Sequence, residues 1–428
     1  MDPRTRFLLS SAASAAVTAN ALRPATRFGP GTGPEFVLGT PTAEMPLHAA
    51  AFQSVLALLT GRGGGVRGWR GAAGLGLLGA SAAGLWRLHR DGQQAEQVLE
   101  QAMIDGLGEG YQDRIGLEHG PLPPVALSHR SILLPDLRTR RRYVAPTARN
   151  LPYGEAGRRN HLDVWRRADL PVDGRAPVLV QVHGGAWVVG QKEGQAHPLM
   201  AHLAERGWVC VTINYRLSPR ATWPDHIVDV KRAIAWTRAN IGEHGGDPAN
   251  VVITGGSAGG HLAALAALTP GLADFQPGFE DADTSVTAAV PFYGVYDFTD
   301  RHGVANVALE PLLTARVFKS TLADDRARWE LASPMHHVGT DAPPFFLLHG
   351  SNDTVVPVEQ ARHFASMLRE VSHQPVVFAE LPRAQHAFDV LPSVRVHHTV
   401  HAIERFLAVV RSTPAAVPPG RSVAADQA

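Results

Sequence analysis

Short apolar runs alternate with segments of helical periodicity in the second half of the chain. From residue 227 to 241 apolar side chains recur every three or four positions, as at Ile227, Val230 and Ile234, which is the spacing of one buried helix face. Such alternation predicts an open, mostly parallel α/β sheet covered by helices on both faces, with its ligand site at the carboxyl ends of the strands. The predicted strands are residues 178–182, 209–213, 251–254, 288–293, 345–348 and 376–381.

Two uncharged runs precede this pattern, at residues 45–61 and 71–86. A helix of about 17 residues is about 25 Å long, short of the roughly 30 Å hydrocarbon core, so neither run is a strong solitary spanning helix. The Gly-rich segment 61–65 between them suits a reversal, and Trp69 and Trp86 stand where interfacial aromatic residues anchor. We therefore favour a hairpin that contacts a membrane through residues 45–87, and a membrane-associated or cell-envelope location over a cytoplasmic one. The alternative is a pair of Ala- and Gly-rich helices packed on a soluble domain.

The charge of the 428-residue chain is balanced overall but uneven along its length. Its net charge of +1 gives no electrostatic reason to expect nucleic acid as a partner. Residues 1–90 nevertheless hold nine arginines against three acidic residues, a net of +6, and the remainder carries −5. The single cysteine, Cys210, excludes an intramolecular disulfide framework and an all-cysteine metal site.

The predicted strand at 251–254 runs directly into GGSAGG at 255–260 and then into the helix-forming segment 261–268. This is a G-x-S-x-G pattern in a strand–turn–helix context, which is typical of a nucleophile elbow. Gly255 and Gly259 would let strand and helix approach closely, and Ser257 would stand exposed at the strand end as a nucleophile. The alternative interpretation of GGSAGG, taken without the flanking strand and helix, is a glycine turn with a structural role only.

The strand at 178–182 ends in HGGAW at 183–187. Glycines in this position can direct backbone N–H groups toward a developing negative charge, which is the task of an oxyanion hole. We expect the donors to be the N–H groups of Gly184, Gly185 and Ala258. We expect His183 to shape the loop and not to act as a base.

A nucleophilic serine needs a base, and the base needs an acid to orient it. In chain order after Ser257, Asp353 follows the strand at 345–348 and His386 follows the strand at 376–381. We therefore predict Asp353 as the acid and His386 as the base. The competing candidates are interpreted as surface or packing residues: Asp341, Asp389, His397, His398 and His401.

Residues from about 150 to 410 resemble the α/β-hydrolase superfamily, and within it carboxylesterases of the hormone-sensitive-lipase type. The HGGAW form also resembles arylformamidases and isoprenylcysteine methylesterases.

The resemblance to α/β-hydrolases implies an acyl-enzyme mechanism with Ser257, His386 and Asp353 and no metal or organic cofactor. It implies structural roles for Asp247, Asn250 and Asp297, and a substrate-selecting cap from residues 271–284 and 302–329. Its motifs are HGG at 183–185, NYRLSP at 214–219, GGDP at 245–248, GGSAGG at 255–260, FYG at 292–294, HG at 349–350 with Asp353, and HAF at 386–388.

Three segments follow from these patterns. Residues 1–130 are a helical, basic N-terminal region, residues 131–412 the catalytic domain, and residues 413–428 a Pro- and Ala-rich disordered tail. Within the N-terminal region 1–130, the pattern of residues 93–111 predicts an amphipathic helix. The weakly apolar run at residues 7–19 leads into Ala19-Asn20-Ala21, a small-x-small pattern. This segment fits either a signal peptide or an uncleaved N-terminal helix.

The function expected from the sequence is that of a serine carboxylesterase acting on short- to medium-chain acyl esters of small molecules or lipids. An amide or formamide hydrolase, or a prenylcysteine methylesterase, would use the same three residues. A non-catalytic binding protein on a hydrolase fold is the most distant alternative. The sequence does not indicate an oligomeric state.

Overall fold

The computed structural model describes residues 1–25, 32–119 and 139–412. Eight strands form one sheet in the order β1-β2-β4-β3-β5-β6-β7-β8, parallel except for β1 and β2. The predicted α/β fold is confirmed. The strands are β1 Leu151–Pro152, β2 His161–Trp165, β3 Ala176–Val182, β4 Val209–Ile213, β5 Gly246–Gly256, β6 Ala288–Phe292, β7 Phe345–Gly350 and β8 Val376–Leu381.

Helices cover both faces of this sheet, and the side chains of β3 show which helices lie on which face. Val178, Val180 and Val182 join the core beneath the helices at residues 225–240, 258–268 and 358–371, whereas Leu179 joins the core beneath those at residues 68–107, 197–205 and 394–412. Strands buried on both faces read as continuous apolar runs. The helices are α1 Pro3–Leu22, α2 Thr32–Glu44, α3 Pro46–Gly61, α4 Gly68–Leu107, α5 Tyr111–His119, α6 Thr139–Tyr143, α7 His197–Glu205, α8 Asp225–Asn240, α9 Ala258–Leu268, α10 Glu310–Leu312, α11 Arg326–Ala332, α12 Val358–Val371 and α13 Val394–Ser412.

The N-terminal helices pack closely because small residues line the first half of α4. A Cβ added at Gly74 would lie 2.7 Å from the Phe7 ring of α1, and one at Gly84 would lie 2.7 Å from Thr18. Thr18 and Ser81 share a hydrogen bond of 2.7 Å between the same two helices. Residues 3–22 therefore form a helix that packs on α4 in this structure.

The two uncharged runs form an antiparallel pair, with the reversal where the sequence indicated it. α3 ends at Gly61, a short turn covers Arg62–Gly64, and Gly63 and Gly64 adopt φ of 67° and 88°. The second run does not form a separate helix, because α4 spans 40 residues from Gly68 to Leu107 and includes most of the predicted amphipathic segment. Among the described helices, none is long and apolar enough to cross a membrane.

The second half of α4 belongs to the core of the α/β unit. Ala95, Leu99 and Met103 are buried against β8 and α13. A Cβ added at Gly106 would lie 2.7 Å from Val377 of β8. The predicted boundary near residue 130 and the predicted tail 413–428 lie outside the described residues, and the three-segment division stays a prediction.

Candidate active site

Ser257 stands at a sharp turn between β5 and α9. Its φ of 58° and ψ of −122° depart from both helix and strand, and it precedes the first residue of α9, Ala258. A Cβ added at Gly255 or Gly259 would lie within 3 Å of backbone atoms, so only glycine fits at these two positions. The geometry is that of a nucleophile elbow, and the Ser257 side chain is partly exposed.

Asp353 and His386 meet on the loops that follow β7 and β8. His386 Nδ1 is 2.7 Å from Oδ2 of Asp353, while Oδ1 of Asp353 accepts the N–H groups of Val355 and Val356 at 2.8 Å each. Nε2 of His349 lies 3.3 Å from Oδ2. Burial alone would raise the pKa of Asp353, but the charge of His386 and the hydrogen bonds from the two histidines hold this pKa well below its ordinary value. The carboxyl is therefore ionised and faces the imidazole.

Tyr293 lies between the elbow and the histidine. Its ring centroid is 4.6 Å from that of His386, and a Cβ added at Gly256 would lie 2.6 Å from its hydroxyl oxygen. That hydroxyl donates to Asp389, and burial raises the pKa of this carboxyl. Asp389 is therefore a buried packing partner of Tyr293. Sequence reasoning missed Tyr293 as a site residue, although it directly follows β6 at the carboxyl edge of the sheet.

The loop after β3 lies against the elbow. A Cβ added at Gly184 would be 3.2 Å from Cβ of Ser257, and Gly185 and Ala186 adopt positive φ of 125° and 51°. The N–H of Gly184 is donated to Oε1 of Gln195 at 2.7 Å. In this conformation the N–H of Gly184 is therefore directed at Gln195, and the structure does not support it as one of the predicted oxyanion donors.

His183 is buried within this loop. Its Nδ1 is 2.8 Å from the carbonyl oxygen of Gly184, and its ring stacks on Tyr215 with centroids 4.3 Å apart. Burial lowers the pKa of His183 to about 4, so the ring is neutral near pH 7 and holds the loop by packing.

The loops of Asp353 and His386 are joined by Gln385. Its Oε1 accepts the N–H groups of Thr354 and His386, each at 2.8 Å. The structure thus brings together Asp353 and His386, with Ser257 on the adjacent elbow. Among the hydrogen bonds of the described residues, none joins Oγ of Ser257 to His386, and such bonds are often loose before substrate binds.

The N-terminal helices also contact these loops, which the sequence did not indicate. Thr40 Oγ1 of α2 donates to the carbonyl oxygen of His386 at 3.0 Å, and the Phe36 ring meets the His386 ring edge-on at 5.8 Å. Nδ2 of Asn352 donates to the carbonyl oxygens of Ala21 and Leu22 at 3.1 and 3.0 Å. Partners more than 300 positions apart leave no local sequence signal.

The predicted cap segment 302–329 contacts the residues that follow β6, since the ring of Phe318 lies 5.4 Å from that of Phe298. It forms α10, a π-helical turn Leu313–Phe318 and part of α11. A cavity of about 200 Å³ lies beneath it, lined by residues that include Phe298, Leu309 and Trp329. Phe298 also packs 5.4 Å from the ring of Trp187 in the loop after β3. The cap segment is thus connected by packing to the loop that lies beside Ser257.

Comparison with known proteins agrees with this architecture. The BD-FAE family model matches residues 162–368. The probable carboxylic ester hydrolase LipM of Mycobacterium tuberculosis is 50% identical over 421 residues, which cover 97% of this chain and 96% of LipM. Esterase LipQ of the same species is 48% identical over 319 residues, which cover 74% of this chain and 75% of LipQ.

More distant similarities cover a smaller share of the chain. Isoprenylcysteine α-carbonyl methylesterase ICME of Arabidopsis thaliana is 30% identical over 231 residues, 52% of each chain. The butyrate-bound structure of esterase Est2 from Thermogutta terrifontis is 26% identical, with a TM-score of 0.54, and covers 64% of this chain and 97% of Est2. From these similarities and the fold, the chain belongs to the family of carboxylic ester hydrolases that contains LipM and LipQ and has the α/β-hydrolase fold.

Proposed function

We propose that this carboxylic ester hydrolase uses Ser257 as nucleophile, His386 as general base and Asp353 as the acid that orients the base. The observation that supports this assignment most strongly is the 2.7 Å contact between His386 Nδ1 and Asp353 Oδ2, next to an elbow whose serine has left-handed φ. His386 Nε2 takes the Ser257 proton as Oγ attacks the acyl carbonyl carbon. The same proton then goes to the alcohol leaving group, and water releases the acid from the acyl-enzyme.

The oxyanion in this mechanism is held by the backbone N–H groups of Gly185 and Ala258. Gly185 follows Gly184, which packs on the elbow, and Ala258 directly follows Ser257 at the start of α9. Gly184 would become a third donor only if Gln195 released its N–H. Each oxyanion donor is worth about 10² to 10³ in rate.

The substrates proposed are esters with short- to medium-chain acyl groups. The related esterase Est2 has a structure with butyrate bound, and butyrate is a short-chain carboxylate. The methylesterase relatives align with only about half of this chain. An amide or formamide would be attacked by the same serine, and its leaving group would need the same proton from His386.

The test is the variant Ser257→Ala, assayed with p-nitrophenyl butyrate. We expect release of p-nitrophenol to fall at least about 10³-fold, because the acyl-enzyme cannot form. The matched control is Ser366→Ala, at an exposed position of α12, which should keep full activity. A fluorophosphonate probe should label the native protein and not Ser257→Ala.

Full activity of Ser257→Ala would show that another residue is the nucleophile. Absence of both turnover and labelling in the folded native protein would favour the non-catalytic alternative. A higher specific activity on an N-formyl arylamide than on the aryl ester would favour the formamidase alternative.

We further propose that α3 and the first half of α4 lie against a membrane surface as an interfacial pair. Their outer sides expose large apolar residues, with Phe52, Leu58 and Trp69 at 70%, 70% and 72% exposure. Exposed apolar patches of this kind are typical of interaction surfaces. Arg62, Arg67 and Arg70 flank the patch and complement anionic lipid headgroups. Further exposed apolar residues of the patch are Leu47, Val55, Leu59, Val66, Leu75 and Trp86.

A further inference from the structure

A group of histidines lies between α7 and α13, on the face of the sheet opposite α8 and α9. His202 comes from α7, and His401 and Glu404 come from α13. One potential ligand atom from each of these three side chains lies within 4.8 Å of the other two. The side chains of His202, His401 and Glu404 are only 15%, 15% and 7% exposed. The proposed ester hydrolysis uses none of them.

The spacing of these atoms is close to that of a metal site. His202 Nε2 is 2.7 Å and His401 Nδ1 is 3.6 Å from Oε2 of Glu404. Bonds of 2.0 to 2.1 Å in a tetrahedral zinc site put ligand atoms about 3.3 Å apart, so side-chain shifts of about 1 Å or less suffice. Nε of Arg206 holds the other oxygen of Glu404 at 3.1 Å. This contact orients the carboxylate and leaves Oε2 for a metal ion.

A third histidine, His397, stands one helical turn before His401. The ring centroids of His397 and His401 are 4.7 Å apart, because residues four apart share one helix face. Nε2 of His397 is buried and, among the described residues, has no hydrogen-bond partner. A buried polar atom without a partner costs free energy, and a bond to a metal ion would remove that cost. Two histidines four apart on a helix are a recurrent zinc-binding spacing.

We propose that His202, His401 and Glu404 form a structural site for a divalent transition-metal ion, with His397, which lies outside the observed group, as fourth ligand once its ring turns toward the other three. Imidazole and carboxylate donors in a four-coordinate arrangement suit zinc. The bound ion joins α7 to α13, two helices that otherwise meet through apolar packing and the ion pairs of Glu404. It adds to the stability of the fold and takes no part in ester hydrolysis.

Cobalt(II) titration of the full-length protein, after removal of metal with a chelator, tests the proposal. We expect visible d–d absorption that saturates at one ion per chain and is displaced by zinc. His401→Asn and Glu404→Gln should each weaken cobalt binding by at least about tenfold. The control is His363→Ala, which removes one member of a stacked histidine pair outside the cluster, with ring centroids 4.1 Å apart. It should bind cobalt as the native protein does.

Thermal unfolding provides a second readout that does not depend on absorption. Zinc should raise the Tm of the native protein and of His363→Ala, since a ligand that binds only the folded state stabilises it. It should raise the Tm of Glu404→Gln much less, and the metal-free Tm of this variant shows whether it folds. The proposal is overturned if cobalt binding does not saturate, if His401→Asn and Glu404→Gln bind as tightly as the native protein, or if His363→Ala loses binding.

Discussion

The two carboxylate oxygens of Asp353 have different partners. Two backbone N–H groups, of Val355 and Val356, fix Oδ1, and Oδ2 is left to His386 and His349. The backbone donors hold the carboxylate in one orientation. The negative charge is thereby directed at Nδ1 of His386, where it favours the tautomer that leaves Nε2 free to accept a proton.

Asp353→Asn tests this arrangement because asparagine keeps the size of the side chain. Its Oδ1 can still accept the two backbone N–H groups, but its NH₂ would face Nδ1 of His386. The imidazole proton would then move to Nε2, which could no longer accept the proton of Ser257. We expect kcat for p-nitrophenyl butyrate to fall by about 10³- to 10⁴-fold, measured by steady-state kinetics alongside the Tm.

The matched control for this variant is Asp341→Asn, at an exposed aspartate just before β7. It should behave as the native enzyme. If Asp353→Asn folds and retains kcat within about tenfold of native, Asp353 does not orient the base.

Sequence reasoning placed the proposed site residues on loops that follow strands. Ser257, Asp353 and His386 lie on the loops after β5, β7 and β8, and the parallel sheet brings the carboxyl ends of its strands to one edge. It could not predict that Gln195 would accept the N–H of Gly184, because that contact depends on how the loop after β3 folds back. Tyr293 and Gln385 were missed because neither residue type indicates catalysis by itself.

Helix α2 contacts the loop that holds the proposed base. Thr40 donates its hydroxyl to the carbonyl of His386, Phe36 packs on the imidazole, and Glu44 at the end of the helix forms a buried ion pair with Arg395. Ser393 donates to the other oxygen of Glu44 at 2.7 Å. Helix α2 therefore contacts both His386 and the start of α13, which follows the His386 loop.

Replacing Thr40 by valine removes one of these contacts with little change in shape. A buried hydrogen bond contributes about 1 kcal/mol, so we expect kcat/KM to fall by about three- to tenfold as the His386 loop loosens. Thr42→Val is the matched control, because Thr42 is a buried threonine of the same helix whose hydroxyl donates to the carbonyl of Leu38.

Both threonine variants lose one buried hydroxyl, so their Tm values should fall by similar amounts. Only Thr40→Val should lose activity. Equal kcat/KM in the two variants would show that α2 does not position His386.

At the level of elements, the buried parallel strands were predicted because they are continuous apolar runs. β4 and β8 have the predicted bounds, and β5 is longer than predicted at both ends. β1 and β2 were missed, since β1 has two residues and β2 contains Asp163, whose charge is matched by buried Lys192 at 2.7 Å. The length of α4 could not be predicted, because its two halves contact different neighbours and have different compositions.

At the scale of the whole molecule, the N-terminal helices and the α/β unit share one long helix. α4 joins the two parts, since its first half packs on α1 and its second half is buried against β8 and α13. Deleting residues 1–130 would therefore uncover the core of the enzyme. Surface substitutions are the better way to test membrane contact.

The surface test uses vesicle flotation with full-length protein. We expect binding to vesicles with anionic lipid and weaker binding to neutral vesicles. Binding to the anionic vesicles should decrease as salt screens the attraction between the arginines and the lipid headgroups.

Burial of one large apolar side chain is worth about 1.5 to 3 kcal/mol. Phe52→Asp with Leu58→Asp should therefore weaken binding by at least about 100-fold. Val172→Asp, at a residue 58% exposed on the α/β unit, should bind like the native protein. Equal binding by the double variant, or no binding to either vesicle, would refute the membrane proposal.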